Sequence, residues 1–180
     1  MTAKTVSICP PISVSQLAFG LILASTAVLA FFIPFSLGYP QWLVGVIVNA
    51  CLFSASIFLP KKYFIPLAIL PSLGVLARGL VFGPLTMFLV YFLPFIWIGN
   101  IVLMFAFSYL FSKIGYLKSI AVSSVAKFII LFLISNVYFS LSIVPAIFLN
   151  VMGILQFFTA IGGGLIAFII LKTLKAWQKI

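Results

Sequence analysis

The chain has 180 residues, 66% of them hydrophobic and 6% charged, with ten Lys and Arg against no Asp, Glu or His. A soluble domain is about 45–50% apolar and about 25% charged, so a water-soluble core is excluded. The missing carboxylates and imidazoles remove the usual general acids and bases and most metal ligands, which argues against an enzyme.

A bilayer crossing takes about 20 mainly apolar residues in helix. Stretches of that size fill the chain and predict an all-α polytopic bundle of six transmembrane helices in one domain. After a polar start with Lys4 and Pro10-Pro11, helix 1 is expected over 14–33. It exceeds the roughly 7–15-residue apolar region of a cleavable signal and is read as a retained span. Helix 2 is expected over 41–59, beyond the neutral break Pro34 to Pro40, and helix 3 over 63–81, beyond Pro60-Lys61-Lys62. Helix 4 is expected over 84–111. Pro66, Pro71 and Pro94 fit inside these spans because neighbouring helices can satisfy the freed carbonyls. Helix 5 is expected over 119–139 after the basic connection Lys113 to Lys118. Helix 6 is expected over 146–171, ahead of a basic end with Lys172, Lys175, Trp177 and Lys179.

This arrangement collects Lys4, Lys61, Lys62, Lys113, Lys118, Lys172, Lys175 and Lys179 on one side. Cytoplasmic loops carry such an excess of Lys and Arg, so both termini are expected inside the cell, with the bundle in the plasma membrane and lipid around it. Sparse, isolated cations of this kind argue against a nucleic-acid partner. Cys9 and Cys51 fall short of the four ligands a zinc or iron–sulfur centre usually takes. They read as unpaired buried thiols, and no cofactor is expected.

Two cations fall inside spans. Lys127 lies about 12 Å into helix 5 at ~1.5 Å per residue, and Arg78 lies in the outer part of helix 3. A cation at a helix centre costs about 2.5–3.5 kcal/mol on insertion scales, and the chain has no acidic side chain to pair with either. Arg78 reads either as snorkelling to outer headgroups or as a ligand contact. Lys127, one turn beyond Ser123 and Ser124, reads either as part of a polar stripe facing the bundle interior or as snorkelling to the cytoplasmic surface.

Asn49 and Asn100 fall near mid-membrane, where an amide serves either as an interhelical hydrogen bond or as a fixed point in a binding site. Gly45, Asn49 and Ser56 share a face of helix 2, and Trp97, Asn100 and Met104 share a face of helix 4. If those faces meet, they form an aromatic-walled pocket, with Asn49, Arg78, Trp97, Asn100 and Lys127 as candidate ligand-binding residues. Gly20, Ala24 and Ala27 place small residues on one side of helix 1, for close packing within the bundle or against a partner helix. Gln41-Trp-Leu-Val-Gly45 and Gln156-Phe-Phe-Thr-Ala160 form a faint internal echo.

The six-helix plan, Phe82-Gly83-Pro84, the segment Pro94 to Asn100 (Pro-Phe-Ile-Trp-Ile-Gly-Asn) and the Gly-rich helix 6 resemble the substrate-binding S components of energy-coupling factor (ECF) vitamin transporters. The chain is also similar to small membrane proteins related to them that often carry the label iron hydrogenase. Two Cys and no His cannot hold the clusters that such a label implies. The resemblance implies ligand binding near the extracellular side, and a helix 1 stripe offered to a transmembrane coupling protein, whose nearest equivalent here is Gly20-x-x-x-Ala24.

Two functions are therefore expected. One is a subunit that captures a small micronutrient, a vitamin or precursor, neutral or anionic, for uptake. The sequence has no phosphate-binding Gly-rich loop followed by Lys and Ser or Thr, so a separate ATPase module would energise it. The alternative is a non-transporting scaffold or assembly subunit whose Lys127 and Arg78 meet acidic residues of another protein.

Overall fold

The computed structural model describes residues 16–37, 39–82 and 86–177. Within them the chain forms α1 (Gln16–Ser36), α2 (Gln41–Phe58), α3 (Phe64–Phe82), α4 (Thr86–Ile114), α5 (Tyr116–Ser140), the short α6 (Ile147–Met152) and α7 (Ile154–Trp177), with a 3-10 turn at Lys61–Tyr63. No strand occurs among the described residues. Five segments are long and apolar enough to cross a bilayer. The remaining long helix, α3, has 19 residues, about 28 Å at ~1.5 Å per residue, close to the roughly 30 Å hydrocarbon thickness. The protein is an all-α, polytopic membrane bundle.

The helix boundaries depart from expectation in several places, among them α4, which runs to Ile114 rather than 111, and α7, which runs to Trp177 rather than 171. Helix 1 runs past Ile33, through Pro34, to Ser36. Helix 5 begins at Tyr116 rather than 119, so the expected basic connection shrinks to Gly115, whose φ of 82° suits a residue without a side chain. Lys113 consequently lies within the last turn of α4, its Nζ donating to the Tyr109 hydroxyl. Helix 6 is not continuous: the chain leaves helical geometry at Gly153, with ψ −110°, which separates α6 from α7. The expected helix 1 residues 14–15, the motif residues Gly83 and Pro84, and Lys4, Cys9 and Lys179 lie outside the described residues.

Ring contacts fix the alternation of the helices. Phe19 of α1 lies 5.6 Å from Tyr63 in the turn before α3, and Phe64 lies 5.2 Å from Phe105 of α4. Tyr116 at the start of α5 meets Phe107 of α4 at 5.3 Å and Phe168 of α7 at 4.8 Å. These contacts gather the start of α1, the end of α4, the start of α5 and the far half of α7 at one end of the bundle. Lys61, Lys62, Lys113, Lys118 and Lys172 therefore share that end. The main core lies there, around Leu52, Phe53, Phe64, Leu103 and Phe107.

In lipid, apolar side chains gain little by leaving their surroundings, so close backbone contact and polar bonds hold the helices together. The crossing of α2 and α7, the most extensive helix contact in the bundle, shows this. A Cβ on Gly163 would stand 2.6 Å from the Ala50 nitrogen and 2.7 Å from the Val46 carbonyl oxygen, so only glycine permits the approach.

Candidate functional site

At the opposite end from the lysines, a half-open cavity of about 390 Å³ lies among α1 to α7. It is bounded by the end of α1, the first half of α2, the second half of α3, the first half of α4, the middle of α5, α6 and the start of α7. The break at Gly153 places α6 across this region, where Phe148, Val151 and Met152 supply one wall. Four of the five candidate ligand-binding residues, Asn49, Arg78, Asn100 and Lys127, line it.

Lys127 is 3% exposed and points inward, with Ser119, Ser123 and Ser124 buried on the same side of α5. Its Nζ donates to Asn49 Oδ1 at 2.9 Å. Snorkelling to the cytoplasmic surface is thus replaced by an interior polar stripe. Because an ammonium only donates, Asn49 must turn its oxygen toward Lys127 and its amide nitrogen away. That Nδ2 donates to the Gly45 carbonyl at 2.8 Å and to Thr159 Oγ1 at 3.3 Å, so every hydrogen-bonding atom of the Asn49 amide group is engaged. The network joins α5, α2 and α7.

Asn100, 2% exposed, donates through Nδ2 to the Ala68 carbonyl at 2.9 Å and ties α4 to α3. Its Oδ1 is buried and accepts no hydrogen bond. Arg78 is partly buried, and its Nη1 is enclosed without a hydrogen-bond partner. Leaving a buried polar atom unpaired costs about 1–3 kcal/mol, and more for a charged group. One acceptor and one cationic donor thus stand unpartnered and closed off from solvent, on two residues that contribute other atoms to the cavity lining.

The fifth candidate, Trp97, does not line the cavity. Its Nε1 donates to Ser72 Oγ at 2.5 Å, and Ser72 is the cavity-lining residue. The apolar lining is consequently mostly aliphatic, with Val48, Val75, Leu89 and Ile96, and Phe148 of α6 is its one aromatic side chain among the described residues, in place of the expected Trp97. Ser56 and Met104 also lie away from it. Ser56 bonds the Leu52 carbonyl at 2.8 Å, and Met104 is fully buried in the core of the lysine end, because each shared helix face extends through the bundle while the cavity occupies one half.

Comparison with protein-family models, curated proteins and solved structures finds no match. The site rests on its own geometry.

Sequence reasoning missed Ser72, Gln41 and Gln156 as lining residues and Thr159 as the support of Asn49. The echo had marked the segments that hold three of them: Gln41 and Gln156 open the two related stretches, and both reach the cavity. Ser72 carried no signal, since a serine after a helical proline is ordinary.

The small-residue side of helix 1 faces away from the bundle at two of its three positions. Gly20 and Ala24 are exposed, and a Cβ on Gly20 would meet nothing within 4 Å, whereas Ala27 is partly buried against the core. Packing within the bundle uses the i, i+4 face of Thr26, Ala30 and Pro34 instead.

Proposed function

We propose that this protein captures a small neutral or anionic molecule, such as a vitamin or its precursor, from outside the cell. It would deliver that molecule with the help of a separate energising ATPase module and a transmembrane coupling protein. The supporting observation is the cavity itself: a half-open space lined by Asn49, Arg78, Asn100 and Lys127, at the end opposite the five lysines. Under the positive-inside rule the lysine end is cytoplasmic. That orientation puts both termini inside a plasma membrane and turns the cavity mouth outward.

A chain without any acidic side chain has nothing to balance a cationic solute except dipoles, which favours neutral or anionic cargo. Proton- or sodium-coupled carriage usually employs intramembrane carboxylates or His, so the energy source is assigned to a partner. The resemblance to ECF S components fits this reading, and the outward-facing Gly20 and Ala24 leave α1 open to a partner helix. Native mass spectrometry of the protein extracted in lipid nanodiscs tests it. A bound species of a few hundred daltons, or an accompanying coupling protein, is the expected result; a bare monomer with neither overturns the assignment.

A further inference from the structure

Among the described residues, the polar side chains that line the cavity fall into two sets by what they already hold. Asn49, Ser72, Asn100 and Lys127 are committed to the protein and at most 3% exposed. Every hydrogen-bonding atom of the Asn49 amide group is engaged, and Lys127 is held by Asn49. The Ser72 hydroxyl donates to the Ile69 carbonyl and accepts from Trp97, while Asn100 bonds Ala68 and has its oxygen closed off. The other set, Gln41, Arg78 and Gln156, is exposed or half-buried and makes no side-chain hydrogen bond. On Arg78 only Nη1 is enclosed, which leaves Nε and Nη2 open, and both amide atoms of Gln156 are open as well.

These three uncommitted residues stand toward the mouth. Gly45 lies against Thr159 and Asn49 against Gly163, pairs of equal sequence separation, so α2 and α7 descend side by side. Gln156 therefore falls level with the first turn of α2, which Gln41 opens. Arg78 lies six positions beyond Ser72 on α3, about 9 Å nearer the mouth at ~1.5 Å per residue. Beneath them Val48, Val75, Leu89, Ile96 and Phe148 surround the committed Ser72 hydroxyl. Resting on the capture reading, we infer that Gln41, Arg78 and Gln156 form a collar for an oxyanion: the ligand is an organic carboxylate or phosphate that seats with its charged group outermost and its apolar body below. A guanidinium forms strong charge-assisted bonds to either group, and the two amides add further N–H donors. An amine of equal shape would meet the Arg78 cation in a chain with no acidic side chain, and would be rejected.

Affinity-selection mass spectrometry in nanodiscs, with empty nanodiscs as the blank for lipid partitioning, tests the collar. The probes are an equimolar library of small alkyl and aryl carboxylates and phosphate monoesters, with matched methyl esters, primary amides and amines. Wild-type protein should retain oxyanions over their uncharged and cationic counterparts, and the retained set tells carboxylate from phosphate. Arg78→Gln should weaken that retention about ten- to hundredfold. Gln41→Leu should weaken it about three- to tenfold, the smaller effect reflecting the access of water to Gln41. Each variant is compared with wild type by size-exclusion elution and helical circular dichroism; Gln41 is exposed and unbonded, so its replacement leaves the bundle folded even if Arg78→Gln does not. Retention of esters, amides or amines equal to that of oxyanions overturns the collar and leaves capture standing. Oxyanion retention untouched by both substitutions puts the charge elsewhere in the cavity and likewise overturns the collar alone. Retention of no compound at millimolar concentration overturns both.

Discussion

Lys127 and Asn49, 78 positions apart in the chain, meet through a 2.9 Å hydrogen bond from Nζ to Oδ1 in the interior of the bundle. In a chain with no acidic side chain, an amide dipole is the strongest side-chain acceptor available to an ammonium. The bond satisfies the cation in part and, through Thr159, links α5 to the α2–α7 crossing. Deep burial of an ionisable residue in a membrane is costly, which is why such residues mark functional positions.

That bond gives the first expected outcome. Asn49→Ala should destabilise the bundle by about 1.5–3 kcal/mol, the range for hydrogen bonds to charged groups. Lys127→Met should cost less than Asn49→Ala, because it removes the buried charge but leaves the neutral Asn49 Oδ1 without a donor. A double-mutant cycle read by unfolding in mixed micelles should show the Asn49→Ala effect collapse in the Lys127→Met background. Simple addition of the two single effects would contradict the coupling.

Gly163 and Gly20 should respond in opposite ways to alanine. A methyl at Gly163 strikes α2 backbone at Ala50 and Val46, so Gly163→Ala should cost about 1–3 kcal/mol. At Gly20 a methyl meets nothing, and Gly20→Ala should be neutral or stabilise by up to about 1 kcal/mol through helix propensity. Thermal unfolding in detergent distinguishes them; equal melting temperatures for the two variants would show that α2 and α7 do not cross as closely as described.

Trp97 should report occupancy without holding the ligand. Its indole N–H bonds Ser72, which faces the cavity, so filling the cavity should change its emission. Trp97→Phe should remove that fluorescence change while altering the ligand dissociation constant less than about threefold, in line with the ~0.6 kcal/mol average of a hydrogen bond within a membrane. A loss of binding beyond tenfold would make Trp97 a direct contact.

Orientation is open to cysteine labelling in a variant with Cys9 and Cys51 replaced by Ser. Tyr39 is 88% exposed near the cavity end, and Lys62 and Lys118 are exposed at the other. Tyr39→Cys should react with a membrane-impermeant maleimide on intact cells. Lys62→Cys and Lys118→Cys should react only after permeabilisation. Labelling of all three from the same side would overturn the topology.

The amino-acid sequence by itself determined the solvent, the secondary structure and the charge asymmetry. Apolar runs of membrane length can only be helices in lipid, because no water is present to satisfy an open backbone. Lysines outside those runs must stay at the interface. It also singled out Asn49, Arg78, Asn100 and Lys127, since a polar atom inside an apolar run is conspicuous. Tertiary structure alone decided what those atoms face. Whether Lys127 turned inward or climbed to the headgroups depended on Asn49 arriving from another helix, 78 positions away. Whether Trp97 formed a wall or a brace depended on Ser72 of α3. The break at Gly153 was equally hidden, because glycine is common in membrane helices and its geometry is set by what packs around it. Periodicity fixes which residues share a helix face, but the partner across that face comes from the docking of helices, and that choice made the cavity.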